Sequence, residues 1–440
     1  MSEAAEESLS AQELREAWPI LSREDRLEGL RLLPRDTAED LFFDLPSTEQ
    51  AEVVLGLPAS ERRSWIRLLP PDDAADLIQA APAHERDGLL QLLDEATRKD
   101  VTALLAYEED RAGGLMHPRF ARLRPDMTVE EAITYLRAQP RATLATLYYA
   151  YVLDQEQRLL GVVAVHELLA APRGARVRDA MKTDVVTVGE DLDQEAVSRI
   201  FRKSGLIAIP VIDAQRHMKG VVTVDDVVEV VSEEATEDIQ KIGGSEALGE
   251  PYLTIRFSRM LKKRAGWLSA LFLGEMLTAT AMGFFEKEID RAVVLALFVP
   301  LIISSGGNSG SQATSLVIRA MALGEVRLRD WFRVIRRELA TGIALGSVLG
   351  SIGFLRIEIW QKFLHPYGEH HVLVALTVFF SLIGVVTFGT LAGSLLPFLL
   401  RRLRFDPASA SAPFVATLVD VTGLIIYFTT ASLILRGTLL

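Results

Sequence analysis

The sequence predicts a multidomain chain with three architectures in series: an all-α superhelical N-terminal domain, a tandem pair of α/β units, and a five-helix α transmembrane domain. Three observations carry that prediction. Pro34, Pro46, Pro58, Pro70 and Pro82 recur every twelve residues, two later segments repeat one another at an offset of 59 residues, and five long apolar stretches follow residue 265. The 440-residue chain contains no cysteine. Disulfides and thiolate metal sites are therefore excluded, and a hard cation held by oxygen is the metal chemistry left in strength.

Each proline of the first section stops one helix, and about two turns of the next follow, with Asp36, Thr48, Ser60 or Asp72 expected as the capping residue. Helices so short cannot bury an apolar face alone, so they stack. Most acidic residues here read as a solvated outer face. Asp72, Asp73 and Asp76 stand apart, because Asp72 and Asp76 share a helix face, where unpaired like charges repel. The opening Met1–Ser10 is polar and acidic, without the basic start and apolar run of a signal peptide, so the N-terminal body is expected in the cytoplasm.

In the second section Asp154 lies seven residues before Gly161-Val162-Val163-Ala164-Val165, and Asp213 lies seven before Gly220-Val221-Val222-Thr223-Val224. A hairpin turn at each Asp leads into a β-branched strand, and His166-Glu167 or Asp225-Asp226 then opens a helix. The paired copies resemble a tandem of cystathionine-β-synthase (CBS) domains, regulatory modules that often bind adenine nucleotides. Such pairs imply regulation and no particular chemistry.

Membrane spans are expected at about 266–285, 292–322, 334–355, 371–400 and 413–435, each near the roughly 20 residues a helix needs to cross hydrocarbon. Lys262-Lys263-Arg264, the arginines from Arg319 to Arg337, and Arg401, Arg402 and Arg404 put three basic segments on the cytoplasmic side. The N-terminus is then inside and the C-terminus outside. Residues 1–250 hold 48 acidic and 28 basic side chains, a net of −20, and 251–440 hold 11 and 19, a net of +8. An acidic body of this kind attracts cations and excludes nucleic acid as a partner.

Two polar features interrupt the spans. Ser304-Ser305-Gly306-Gly307-Asn308-Ser309-Gly310-Ser311-Gln312 is expected to break an ordinary lipid-facing helix, unless its small residues form a packing face. Asp420, near the middle of the last span, costs on the order of 3 kcal/mol as a bare carboxylate and needs a partner. No basic residue lies deep in a span to serve it, so a cation is the expected partner. Glu275 in the first span could snorkel, pair or line a cavity.

The segments Gly306–Gln312, Arg319–Glu325, Asp330-Trp331, Pro413-Phe-Val-Ala-Thr-Leu-Val-Asp420-Val-Thr-Gly423, Tyr107–Asp110 with Ala112–Met116, and Glu234–Asp238 closely resemble the MgtE family of magnesium channels. The resemblance runs the length of the chain. It implies an N domain at 1–111, CBS units at 112–179 and 180–239, a connecting plug helix at 240–264 and a membrane domain at 265–440. It also implies a homodimer in the bacterial inner membrane, with a pore on the two-fold axis where Asp420 supplies two facing carboxylates and Asn308, Ala416 and Thr417 stand near. Magnesium dehydrates reluctantly, so a pore can hold it through outer-sphere oxygens.

By the same resemblance the gate closes when cytosolic magnesium bridges carboxylates of the soluble domains. The matching positions are Asp40, Asp72, Asp76, the Gly113 carbonyl, Asp193, Glu195, Asp226, Glu229, Glu237 and Asp238. The cofactors implied are Mg2+ and, at the CBS pair, ATP. This chain departs from the family at Ala412, where an Asn is frequent, and at Gly205, where an acidic residue occurs.

Three other functions compete with this one. A CBS-regulated membrane enzyme needs a nucleophile beside a base, and the spans offer no cysteine and no histidine but His371 at an edge. A chloride carrier would use Arg, Lys or helix N-termini, whereas the buried charges here are acidic. A transporter of Co2+ or Mn2+ is not separated from one of Mg2+ by the sequence.

Overall fold

The computed structural model describes residues 10–139, 144–249, 252–253, 255–364 and 367–439. Residues 1–9, on which the reading of a missing leader rested, lie outside them. So do parts of the 240–264 segment and of the loop between the third and fourth spans. The chain forms two compact units, Met1–Glu234 and Ala235–Leu440.

The first unit opens with α1 (Ala11–Ala17), α2 (Arg23–Leu32), α3 (Arg35–Phe43), α4 (Ser47–Gly56), α5 (Ala59–Ile66), α6 (Pro71–Ala80), α7 (Ala83–Leu92) and α8 (Glu95–Leu104). Their N-caps are Ser10, Ser22, Pro34, Pro46, Pro58, Pro70, Pro82 and Asp94, so the twelve-residue period extends beyond the prolines in both directions. The prolines hold the cap position themselves, with φ near −54° and ψ extended. Asp36, Thr48, Ser60 and Asp72, expected as caps, instead fall at the second helical position. A proline has no N–H to leave unsatisfied, and its carbonyl starts the ladder, as where Ala74 N donates to Pro70 O at 2.9 Å. Alternate helices pack on one another, α2 on α4, α4 on α6 and α6 on α8. Between the layers Phe42 meets Trp65 edge-on at 5.1 Å, beside fully buried Ile66, Leu77 and Ile78.

After α9 (Ala112–Leu115) come β1 (Arg122–Leu123), α10 (Val129–Ala138), β2 (Tyr149–Leu153), β3 (Leu159–Ala164), α11 (Val165–Ala170) and α12 (Val177–Ala180). The second copy follows as β4 (Val188–Gly189), α13 (Gln194–Ser204), β5 (Ala208–Ile212), β6 (Met218–Thr223) and α14 (Val224–Ile242). The sheets have orders β1-β2-β3 and β4-β5-β6. Tyr151 pairs with Val162 and Pro210 with Val221, which reproduces the 59-residue offset in the register itself. The hairpins turn on Asp154 and Asp213, whose Oδ1 atoms accept the backbone N–H of Arg158 at 2.7 Å and of His217 at 2.8 Å. The copies meet across Leu159, which donates its N–H to Arg216 O at 3.0 Å, over a core of Phe120, Tyr151, Met218 and Val221.

The helix expected at 240–264 is not a separate element. α14 runs on to Ile242 and stops at Gly243-Gly244, where Gly244 takes φ +77°, a conformation open to glycine. Residues 257–264 already belong to the first span.

Among the described residues the second unit has five helices long and apolar enough to cross a membrane: Phe257–Phe284, Val293–Ala322, Leu328–Leu364, His371–Arg402 and Ala412–Ile434. The glycine-rich segment does not break the second span, which is helical without interruption from Val299 to Ala322. Close packing explains this. A Cβ at Gly310 would lie 2.9 Å from the Gly389 carbonyl of the fourth span, and Thr314 Oγ1 donates to Gly393 O at 2.9 Å from a fully buried position. The third span repeats the device at Gly342, Gly346 and Gly350, one turn apart, against Thr387, Ile383 and Phe379 of the fourth. Small residues at this spacing let backbones approach closely enough for dispersion to hold helices together in lipid.

Gly310→Leu should lower the thermal unfolding temperature of the detergent-purified chain, at a cost of about 1–3 kcal/mol for overpacking. Gly283→Ala, with open space around it, should leave it unchanged. Equal unfolding temperatures for the two variants would contradict the packing of the second span on the fourth.

Candidate cation-binding sites

In the first unit, α6 carries Asp72, Asp73 and Asp76 in two turns, and α14 carries Asp225, Asp226 and Glu229 in two more. The fold brings these six together, with Glu109 at the margin. Asp72 is buried, and its Oδ1 accepts no hydrogen bond among the described residues. Burial, then repulsion from Asp225, raises its carboxyl to about 6. Burial with the charges of Asp72, Glu229 and Asp225 raises Asp73 to about 7. Asp76 is pushed well above the usual range by burial, Glu109, Asp72, Asp73 and Glu229. Asp226 rises to about 7 through burial and Asp72, although Thr223 donates its N–H and hydroxyl to Oδ2 at 3.0 and 2.6 Å. The nearest base is His117, with Nε2 3.9 Å from Asp72 Oδ1, and burial holds that imidazole below its usual pKa and so toward neutrality. The cluster has like charges and little water, and the fixed cation that acts on it, Arg119, is itself paired with Asp100. Protonation relieves that repulsion, and among the described residues no group of three or more His, Asp or Glu is placed to hold a metal ion.

Of the residues expected in the sensor, Asp72, Asp76, Asp226 and Glu229 meet here. Asp73, Asp225 and Glu109 join them. Asp73 and Asp225 stand beside expected positions in the sequence and Glu109 lies in the loop after α8, and only the tertiary fold brings them within electrostatic reach of the others. Asp40 is exposed on α3, and its side chain makes no hydrogen bond or ion pair among the described residues. Asp193 caps α13 through Glu195 N at 3.0 Å, and Glu195 pairs with Arg199 at 2.7 Å, so both are occupied locally. Gly113 is buried and donates its N–H to Glu190 O at 2.9 Å, and the Tyr107 ring fills the space a side chain there would need. Gly205, where an acidic residue was a possibility, ends α13 at φ +64°, which accounts for the glycine.

In the second unit Asp420 is half-buried on the fifth span, a helix without Lys or Arg, and among the described residues its carboxylate receives no hydrogen bond or ion pair. Glu275 of the first span is close enough to act on it electrostatically. The second span lies alongside, with Gly307 against Ala416 and Ser311 Oγ donating to Ala412 O at 3.3 Å. Ser304, Asn308 and Gln312, each a turn apart, leave one polar stripe of that span exposed. Thr417 returns its hydroxyl to Pro413 O at 3.1 Å, which leaves the oxygen's lone pairs free.

A contact that sequence reading missed ties the end of α14 to the fifth span. Lys241 Nζ pairs with Glu237 and, at 2.6 Å, with Asp406, and both partners raise its pKa. Gly244 packs on Pro413 and Trp267, and Trp267 Nε1 donates to Ser411 Oγ at 3.1 Å. Ser411 is the N-cap of the fifth span, two turns before Asp420. Asp238 lies beside Glu237 on α14.

These features define a multi-pass membrane transporter with a helical intracellular domain and tandem CBS regulatory domains. The sequence profile for a divalent cation transporter, MgtE, matches residues 299–430, that for the MgtE intracellular N domain matches 9–110, and CBS domains match 112–174 and 177–233. The magnesium transporter MgtE of Thermus thermophilus is 40% identical over 98% of this chain and 94% of its own length. The MgtE of Enterococcus faecalis is 34% identical over 77% of this chain and 72% of its own. A crystal structure of the cytosolic domain of the Mg2+ channel MgtE in complex with ATP is 40% identical, covering 51% of this chain and 91% of that one, with a TM-score of 0.46. The chain belongs to the MgtE family of divalent cation transporters, and it is not an enzyme.

The raised carboxyls set a pH dependence. A folded pKa of about 7 against an ordinary 3.8 means that the folded state binds more protons, so without a cation the stability of the first unit is full near pH 4 and falls as pH rises through 7. Mg2+ should therefore stabilise the full-length chain more at about pH 8 than at about pH 5.5 in thermal unfolding. Calorimetry near pH 6.5 in buffers of different ionisation heat should record about one or more protons released per ion. A magnesium effect independent of pH would mean that these carboxylates are already ionised and solvated.

Proposed function

We propose that the chain is a homodimeric, Mg2+-selective channel that mediates Mg2+ uptake and closes when cytosolic Mg2+ occupies the carboxylates of its N and CBS domains. The observation that carries this reading is that the second span, which packs on the fifth, leaves Ser304, Asn308 and Gln312 exposed, while Asp420 of the fifth has no hydrogen bond or ion pair among the described residues. Polar groups and a carboxylate are costly against lipid, and a second copy facing the first across a two-fold axis would turn them onto a hydrated path. Two Asp420 carboxylates, with Asn308, Thr417 and the Ala416 carbonyl, suit an ion that keeps its waters. Co2+ and Mn2+ would use the same oxygens and stand as the alternative cargo.

Closure at high Mg2+ is supported by the α6–α14 cluster, whose self-repulsion a divalent ion relieves, so the compact state binds more ions than the open one. Asp40, Gly113, Asp193, Glu195, Glu237 and Asp238 are the remaining sensor positions. The Lys241–Asp406 pair and the Gly244–Pro413 contact give the end of α14 a mechanical hold on the helix that carries Asp420. The reading keeps the N domain at 1–111, CBS units at 112–179 and 180–239, a connecting segment at 240–264 and a membrane domain from 265. It places the C-terminus outside, and it assigns an adenine nucleotide to the CBS pair as a regulatory ligand.

Asp420→Asn should abolish Mg2+ flux into liposomes while the chain still assembles as a dimer by crosslinking, because it removes charge and keeps shape. Wild-type flux from the folded variant would overturn the pore assignment.

Asp72→Asn with Asp226→Asn should raise the Mg2+ concentration needed for half-closure by about tenfold, equivalent to about 1.4 kcal/mol of lost ion binding. Unchanged closure in patch-clamp recordings would remove the cluster from the gate.

A further inference from the structure

Between the second and third spans the chain passes through a short turn of helix, Leu328–Asp330, and enters the third span's long helix at Trp331. This stretch and the first turns of the helix bound an open cavity of about 730 Å3, lined by Arg329, Arg333, Arg336 and Arg337 with Phe332 and Thr341. Arg333, Arg336, Arg337 and Thr341 follow the spacing of one helix face. The one carboxylate in the lining, Asp330, is already engaged. Its Oδ2 accepts Arg327 N at 3.1 Å, and its Oδ1 accepts Arg333 Nη1 at 3.3 Å. Among the described residues, Arg329, Arg336 and Arg337 form no salt bridge, and Glu338, the neighbour of Arg337, is not part of the lining. Four guanidinium groups against one carboxylate leave a surplus of three positive charges in one open cavity.

The surroundings of the cavity identify the medium it faces. Phe332 is 65% exposed and Trp331 50% exposed at its edge, and Leu339 and Ile343 are exposed about two and three turns further along the span. The helix from Trp331 has 34 residues and is about 50 Å long, against about 30 Å of hydrocarbon. Its first turns therefore rise out of the apolar layer, with the aromatic pair at the boundary.

We propose that this cavity binds the phosphate headgroup of an anionic phospholipid, and that a headgroup with two phosphates suits it best. The planar guanidinium forks pair phosphate oxygens two at a time, a headgroup neutralises cations that otherwise repel one another, and its glycerol and acyl chains continue onto the exposed aromatic and leucine surface. A soluble phosphate would gain the first two contacts without the third.

The test is native mass spectrometry of the delipidated full-length chain titrated with tetraoleoyl cardiolipin, phosphatidylglycerol or phosphatidylcholine, with inorganic pyrophosphate as the soluble arm. Cardiolipin should bind with the highest affinity, phosphatidylcholine and pyrophosphate at least tenfold more weakly. The triple variant R333Q/R336Q/R337Q should lose tenfold or more in cardiolipin affinity, R333K/R336K/R337K should fall between it and the parent, and R401Q/R402Q should bind as the parent does. Equal cardiolipin binding by the parent and the triple Gln variant, or an equal loss in R401Q/R402Q, overturns the site, and pyrophosphate binding as tight as cardiolipin overturns the lipid as its source. A measurement on the unaltered chain guards against misfolded variants. Cardiolipin should protect Arg333, Arg336 and Arg337 from phenylglyoxal, and their undiminished modification overturns the proposal.

Discussion

The rest of the molecule is arranged around carboxylates that are withdrawn from water and that, among the described residues, outnumber the basic side chains beside them. In an ordinary soluble protein a buried Asp is paired, protonated or replaced, because an isolated charge in a low-dielectric setting is expensive. Here Asp72 lies buried with an unbonded oxygen, and Asp73, Asp76 and Asp226 crowd it. Asp420 repeats the situation on a membrane helix without a Lys or Arg. On the proposed reading these groups are kept for a partner that comes and goes. The absence of cysteine and the hardness of carboxylate oxygen narrow that partner to a hard cation.

Holding Asp420 beside the second span depends on how closely the membrane helices approach. Lipid offers no hydrophobic force between helices, so the spans are held by contact area and by the few polar groups that cross between them. Gly306 and Gly310 let the second span sit on Val385, Gly389, Val415 and Val419, while Thr314 fastens it to the Gly393 carbonyl. One glycine-rich segment thus serves two purposes at once. Its glycines face inward for packing, and its Ser304, Asn308 and Gln312 face outward beside Asp420. The uninterrupted helix follows from this division, since backbone hydrogen bonds stay internal and only side chains are left to the polar face.

Much of this was legible in the sequence because it was periodic. The twelve-residue repeat gave the N-terminal helices, the 59-residue offset gave two sheets in matching register, and hydropathy gave five spans. What escaped was set by tertiary contact. The prolines took the cap positions assigned to Asp36, Thr48, Ser60 and Asp72, because a carbonyl at an extended backbone is enough to start a helix. Glycines in a span looked like breakers until the fourth span supplied the surface they fit. Asp193 and Glu195 also make local contacts that charge alone does not announce, a cap to Glu195 N and a pair with Arg199. Lys241 and Asp406 lie 165 residues apart, and no local pattern could have joined them.

The two ends of α14 show how the chain treats the same chemical problem in two ways. At Glu237 and Asp406 it supplies its own ammonium, Lys241, which is tethered and pays no dehydration cost comparable to that of magnesium. That pairing needs no divalent ion, so it holds the helix end to the loop before the fifth span with salt screening as its main opponent. Among the described residues no Lys or Arg pairs with Asp226, and burial raises its carboxyl to about 7. A helix fixed at one end and conditional at the other is suited to carrying a change at the conditional end to the fixed one. On the proposed reading the response to magnesium therefore originates among the carboxylates of α6 and α14, with Lys241 as the joint through which it acts and not as a second sensor.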